Sequence, residues 1–220
     1  MEETMERNVP KYVQKRYDVL GPRVAAAMQR RGMEARYCAT AEEAAAEILR
    51  MIPAEHVVSW GSSETLKELG IQRRLYDRGQ QVIDKDTAPT PEEKEIRTHK
   101  ALLCDTFLMS SNGISADGQL VNIDGTGNRA AALIYGPKQV IVVAGMNKVA
   151  EVVEDAIRRA RTIAAPINTH RVNAETPCRK IGTCADCISA DCICAQIVIT
   201  RFCHPTGRIK VVLVGETLGF

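Results

Sequence analysis

Gln139-Val-Ile-Val-Val-Ala144 is apolar from its second residue onward and rich in β-branched side chains. Branching at Cβ favours extended backbone. A strand with no alternation of polar residues must be covered on both faces, as in a parallel sheet between helices. Val211-Val-Leu-Val214 has the same character. Neither run approaches the ~18 apolar residues of a membrane-crossing helix, and both have strand length. A long helix is expected directly after the first run, from Lys148 to Ala164.

Upstream of this strand the chain alternates. His56-Val-Val-Ser-Trp60 reads as a strand running into Gly61-Ser-Ser and a helix through Leu69. Gln72–Gly79 is a second short helix and Gln81-Val-Ile-Asp84 a strand. Pro91, at a first-turn position that proline tolerates, opens a helix over Glu92–Leu103. Thr106–Ser110 is the next strand, and Asp117-Gly118 is a turn signal for a hairpin between Ile114 and Leu120–Ile123. A helix follows between Gly125 and Tyr135. Nearer the start, helical spacing runs from Pro10 to Arg31, with Pro22 placed to break or kink it. Ala35–Cys38 is a short strand, and Thr40 caps a helix over Ala41–Met51 with Glu43 three residues on.

Strands alternating with helices, apolar on both faces, define an α/β fold with a mainly parallel sheet flanked by helices. After Pro166 the periodicity lapses. Residues 166–204 are rich in Cys, Asn and Thr, and strands at Gln196–Arg201 and Ile209–Gly215 close the chain around a turn near Pro205-Thr-Gly207. One α/β domain over residues 1–220 is expected, with a cysteine-rich insertion before a C-terminal hairpin.

With 29 basic and 27 acidic residues the net charge is +2, which writes in no attraction to nucleic acid. Three Phe and one Trp leave little surface for stacking bases. The N-terminus, Met1-Glu-Glu-Thr-Met-Glu-Arg7, is charged with no apolar run behind it, so a secretory signal is not expected. The expected location is the cytoplasm, where thiols stay reduced. The apolar helix face Tyr12/Leu20/Met28 serves a homodimer as readily as the domain's own core.

Three strand-to-loop junctions carry candidate ligand-binding groups, at the strand ends where α/β proteins bind ligands. The first is Gly61, Ser62 and Ser63, whose hydroxyls either hold an anion or cap the next helix. The second is Asn112 after Ser110-Ser111. The third, Asn122-Ile-Asp-Gly-Thr-Gly-Asn-Arg129, gathers a carboxylate, two amides, a hydroxyl and a guanidinium ahead of an apolar helix. Here Asp124 suits a general base and Arg129 an anion fork, with Gly125, Thr126, Gly127 and Asn128 lining the ligand. The alternative is an Asx-turn and helix cap. The lone histidines His56, His99 and His170 read as structural.

Six of the eight cysteines fall between Cys178 and Cys203. In a reducing compartment such a run points to metal or redox chemistry rather than a disulfide staple. Only Cys184-x2-Cys187 forms a chelating pair of the kind two of which make a zinc site. A Cys-x2-Cys with single cysteines on either side is nearer an iron–sulfur arrangement. Zinc and redox thiols stay open.

Val58-Ser-Trp-Gly-Ser-Ser-Glu-Thr-Leu-Lys-Glu-Leu-Gly70, Ser110–Arg129 and Gly136–Gly145 resemble the lactate-utilisation (LUD) domain family, to which the LutC-type proteins belong. The resemblance implies the fold of the ribose-phosphate isomerase, glucosamine-phosphate deaminase and coenzyme A transferase group. It implies a role in oxidising lactate to pyruvate beside iron–sulfur partner proteins. It maps the cluster ligands onto Cys178, Cys184, Cys187 and Cys194, with Cys192 and Cys203 departing from the pattern. A stand-alone isomerase or coenzyme A transferase acting on a small anionic substrate is the competing expectation, with Asp124 or Glu216 as base or nucleophile. A regulatory module with a zinc staple is a third.

Overall fold

The computed structural model describes residues 8–220, so the segment Met1–Arg7 discussed above lies outside the described residues. In chain order the elements are α1 (Lys11–Arg30), β1 (Glu34–Cys38), α2 (Ala41–Met51), β2 (Val58–Trp60), α3 (Glu64–Glu68), α4 (Ile71–Asp77), β3 (Val82–Ile83), α5 (Pro91–Ala101), β4 (Thr106–Met109), β5 (Gly113–Ser115) and β6 (Leu120–Asp124). Then come α6 (Asn128–Ile134), β7 (Gln139–Gly145), β8 (Val149–Ala150), α7 (Val153–Arg159), α8 (Ala165–Val172), α9 (Pro177–Ile181), β9 (Gln196–Thr200) and β10 (Ile209–Val214).

The two β-branched runs become neighbouring strands of a six-stranded sheet in the order β1-β10-β7-β4-β2-β3, parallel throughout. Their lack of polar alternation now has its cause. Val140, Val142 and Ala144 of β7 pack with Val211 and Leu213 of β10 in one core, under α1. Ile141 and Val143 pack with Val212 and Val214 in the other, under α2 and α4. All nine side chains are fully buried. Each Val- or Leu-sized side chain buried in this way contributes about 1.5–3 kcal/mol. Thr40 caps α2, its hydroxyl accepting from Glu43 N, as its position predicts.

A smaller mixed sheet, β8-β5-β6-β9, stands beside the carboxyl end of the first. The expected hairpin is there as antiparallel β5 and β6. The smaller sheet packs Val121 and Ile123 against Ala156 and Ala160 of the following helix. Gly113 makes the close approach possible: a Cβ at this position would lie 2.5 Å from Ala156 O.

Three expectations are corrected. The closing strands do not form a hairpin: β9 pairs antiparallel with β6 in the small sheet, whereas β10 enters the large sheet between β1 and β7. The connection between them is pinned to the end of α1, with Cys203 N donating to Arg31 O and Gly207 N to Gly32 O. No helix starts at Lys148. Met146–Lys148 is a 3-10 turn, and Val149 and Ala150 pair with Ile114 and Ser115 before α7 begins. Nor does Pro166 end helical structure, because it occupies the first turn of α8, joined to α7 through a π-helical turn at Ala160–Ala164. Pro22 likewise lies within the continuous α1.

Gly113→Ala is expected to lower stability by about 1–3 kcal/mol, the cost of overpacking a closed contact, read as a reduced urea midpoint.

Candidate functional site

Strand β2 leads outward to β3 at the sheet edge, whereas β4, beside β2, leads inward toward β7. The loops leaving β2 and β4 therefore diverge, and a crevice opens between them at the carboxyl end of the sheet. A cleft of about 920 Å³ lies there. Its walls include all three junctions singled out in the sequence: Gly61–Ser63, Ser110–Asn112 and Ile123–Arg129. Helix α5 adds Lys94, Thr98 and His99; α8 adds Asn168 and Arg171; Gly219 and Phe220 complete one side.

At its floor lies Lys148, 3 % exposed. The 3-10 turn after β7 brings its Nζ to 2.9 Å from Thr65 Oγ1 and 3.0 Å from Ser110 Oγ. Among the described residues no carboxylate pairs with it. Burial, and after it the nearby Arg159 and Arg129 guanidiniums, bring Lys148 down from 10.5 to about 7, against a smaller upward pull from the Glu68 carboxylate. A buried cation without an anion is costly, and the site reduces that cost by favouring the neutral amine.

Arg129 is buried too, but its donors are engaged. Nη1 donates to Ser110 O (2.9 Å) and Asn122 Oδ1 (2.6 Å), and Nη2 to Asn112 Oδ1 (2.9 Å) and Ile123 O (2.5 Å). Its Nε stands 3.7 Å from Asp124 Oδ2. Burial pushes its pKa down. The guanidinium is thus a tie between strand ends rather than an open anion fork. Gly61 accommodates it, since a Cβ there would come 3.1 Å from Arg129 Cδ. Arg159 performs a similar task, donating to Asn147 O and Asn112 O.

The other sequence candidates divide by role. Asp124 accepts from Gly127 N (3.0 Å) and Ala130 N (3.0 Å), the Asx-turn and cap that start α6. Gly127, at φ +85°, supplies the left-handed turn this needs. Asn112 Oδ1 also accepts from Ile123 N, Thr126 Oγ1 donates to Asn128 Oδ1, and a Cβ at Gly125 would lie 3.4 Å from Ile193 Cα. Ser63 caps α3, accepting from Leu66 N. Ser62 accepts from Lys85 Nζ at 2.6 Å. Glu216 stands outside the cleft lining, its Oε1 accepting from Ala41 N at the start of α2. His56 is structural as expected, with Nδ1 2.8 Å from Thr106 Oγ1, but His99 lines the cleft. Sequence reasoning passed over Lys148, Thr65 and Lys85. The one available signal was a lysine three residues past the end of an apolar strand.

The cysteine segment forms part of one wall through Ile193. Cys178 is buried with Sγ 3.1 Å from Thr176 Oγ1, Cys184 Sγ accepts from Asp186 N (3.4 Å), and Cys192 Sγ accepts from Cys194 N (3.4 Å). Burial, and then the Cys192, Cys178, Cys184 and Cys187 thiols, push Cys194 up to about 12, so these five sulfurs share one neighbourhood. Thiols of this density suit a thiophilic metal or cluster. Among the described residues, however, no group of three or more His, Cys, Asp or Glu is arranged to hold a metal ion. Cys38, Cys104 and Cys203 are buried in the cores.

A parallel sheet flanked by helices, with a cleft across its switch point, defines the class: an α/β domain with an open cleft at its strand ends. The chain belongs to the LUD domain family, whose model matches residues 22–214. In fold it is similar to the crystal structure of a DUF162 family protein from Deinococcus radiodurans, with 12 % identity, a TM-score of 0.52, and coverage of 90 % of this chain and 97 % of that one. Against eIF2B delta from Chaetomium thermophilum the TM-score is 0.34 at 16 % identity, over 66 % of this chain and 59 % of that one. Among curated proteins no sequence matches this chain. Among the described residues no helix is long and apolar enough to cross a membrane.

Two outcomes follow from the buried cations. Arg129→Lys is expected to cost at least about 3 kcal/mol in urea unfolding, because a lysine cannot satisfy the same acceptors. The unfolded chain returns Lys148 to 10.5, so between about 7 and 10.5 it binds more protons than the folded chain. The destabilisation from Lys148 is therefore complete below pH 7 and fades as pH rises toward 10.5. The stability difference between wild type and Lys148→Met should narrow across that window and stay level below it.

Proposed function

We propose that this protein is a component of 2-hydroxy acid oxidation that holds lactate, or its product pyruvate, in the Lys148 cleft. The observation that carries this reading is the charge of the cleft. Five basic side chains, Lys85, Lys94, Arg129, Lys148 and Arg171, face three carboxylates, Glu64, Glu95 and Asp124. The most buried lysine, Lys148, has no carboxylate of its own among the described residues. A small carboxylate ligand supplies that charge, while the Thr65 and Ser110 hydroxyls, accepting from Lys148 Nζ, hold the lysine in place. Lactate is the member of this ligand class to which the resemblance of the LUD motifs points.

The finer part of the reading concerns the cysteine segment. Cys178, Cys184, Cys187 and Cys194 would hold an iron–sulfur cluster, with zinc as the alternative. When bound, a cluster supplies a one-electron carrier for exchange with iron–sulfur partner proteins. Its support is the shared neighbourhood of the thiols and the place of Ile193, between Cys192 and Cys194, in the cleft wall. The isomerase or transferase reading has less support, because Asp124 is engaged by two backbone N–H groups and Glu216 lies outside the cleft lining.

Calorimetry with lactate, pyruvate and acetate on anaerobically purified protein tests this, alongside iron and acid-labile sulfide assays. Lactate or pyruvate is expected to bind, with affinity falling at least about tenfold in Lys148→Met, or ~1.4 kcal/mol. Iron and sulfide are expected together and to be lost in Cys184→Ser. Absence of binding by either acid overturns the ligand assignment. One zinc without iron overturns the cluster.

A further inference from the structure

Lys148 is placed for covalent chemistry as well as for charge. The two hydroxyls beside its Nζ have their own protons directed elsewhere: Thr65 Oγ1 donates to Leu218 O (3.3 Å) and Ser110 Oγ to Ser111 O (3.5 Å). Toward Lys148 both therefore act as acceptors. A neutral amine satisfies this arrangement in full, since its two N–H groups reach two acceptors and its lone pair remains unused. An ammonium leaves a third donor, and a charge only weakly offset by Glu68, in an interior that already holds Arg129 and Arg159. The same side chain lines a cleft large enough for a small metabolite. A lysine desolvated in this way is a nucleophile toward carbonyl carbon.

We propose that Lys148 captures a 2-oxo carboxylate as an imine. The proposal rests on the reading that this cleft takes a 2-hydroxy acid or its 2-oxo product. Nζ attacks the carbonyl carbon, a C–N bond forms, and the carbonyl π pair moves to oxygen, which takes up the proton that nitrogen sheds. The resulting carbinolamine then loses its C–O bond. The oxygen leaves as water with the second nitrogen proton, and the nitrogen lone pair closes the C=N bond. One water is lost overall, and no oxidant or reductant is required.

Protonation of the imine sets a positive charge beside the substrate's own carboxylate. The ligand thus brings an anion closer than Glu68, which raises the lysine's basicity only weakly against burial and the guanidiniums, and this selects 2-oxo acids over simple aldehydes and ketones. The amine is populated near neutral pH because burial and the two guanidiniums hold Lys148 at about 7.

The test is reductive trapping of the full chain with pyruvate and sodium cyanoborohydride, followed by intact-mass and peptide analysis. The expected product is a single modified lysine, Lys148, heavier by the acid less one oxygen atom. Labelling should rise as pH increases through about 7. Acetone should label far more weakly. Lys148→Arg keeps nitrogen donors at the site but has no primary amine, and with its fold checked by circular dichroism it should lose the label. If pyruvate binds by calorimetry and no adduct is trapped, the imine is overturned while the binding site stands. Equal labelling of Lys148→Arg and wild type also overturns it. If no 2-oxo or 2-hydroxy acid binds, both readings fall.

Discussion

The cleft depends on one buried guanidinium. A charged group removed from water is tolerated only when its donors are engaged, and Arg129 meets that demand with acceptors from separate strand ends. Ser110 O follows β4, Asn112 Oδ1 precedes β5, and Asn122 Oδ1 and Ile123 O belong to β6. Satisfying the arginine fixes these groups relative to one another and joins the large parallel sheet to the small mixed one. Arg159 adds a second tie, from α7 to Asn112 O and Asn147 O. Behind both lies Lys148, whose altered basicity follows from its burial and from two such neighbours.

Much of the architecture was legible because a fully covered strand leaves a local mark. Val140–Ala144 has no polar alternation, and only coverage on both faces accounts for that. The location of the cleft was legible for a related reason: the Asn122–Arg129 stretch concentrates polar groups where an ordinary helix start needs only one. Roles within the stretch were less so. Asp124 and Arg129 have the residue types of a base and an anion fork, but their partners decide what they do. For Arg129 one of these, Ser110 O, lies 19 residues away in the chain. Nothing local in the sequence announces such a partner. Asp124 instead took the capping role that had been the alternative.

Lys148 escaped notice because Met146–Ala150 extends a helical-looking pattern. The backbone there obeys a longer-range demand, the pairing of Val149 and Ala150 with Ile114 and Ser115. The final strands misled in the same way. Two short extended runs around a turn suggest a hairpin, yet β10 belongs between β1 and β7, where both its apolar faces are covered, while β9 completes the edge beside β6. Sequence proximity was a poor guide wherever burial favoured a distant partner.

The cleft is made of two materials. Its floor is interlocked, with Arg129, Lys148, Thr65 and Ser110 each bonded across elements. Its rim is not: Lys94 and His99 on α5 line the opening without being partners of Arg129 or Lys148. Substitutions on α5 can therefore reshape the opening while leaving the scaffold's stability intact, whereas a change at the floor disturbs the cleft and the scaffold at once. The rim is the adjustable jaw of a fixed vice: its shape can change without loosening the frame that holds it.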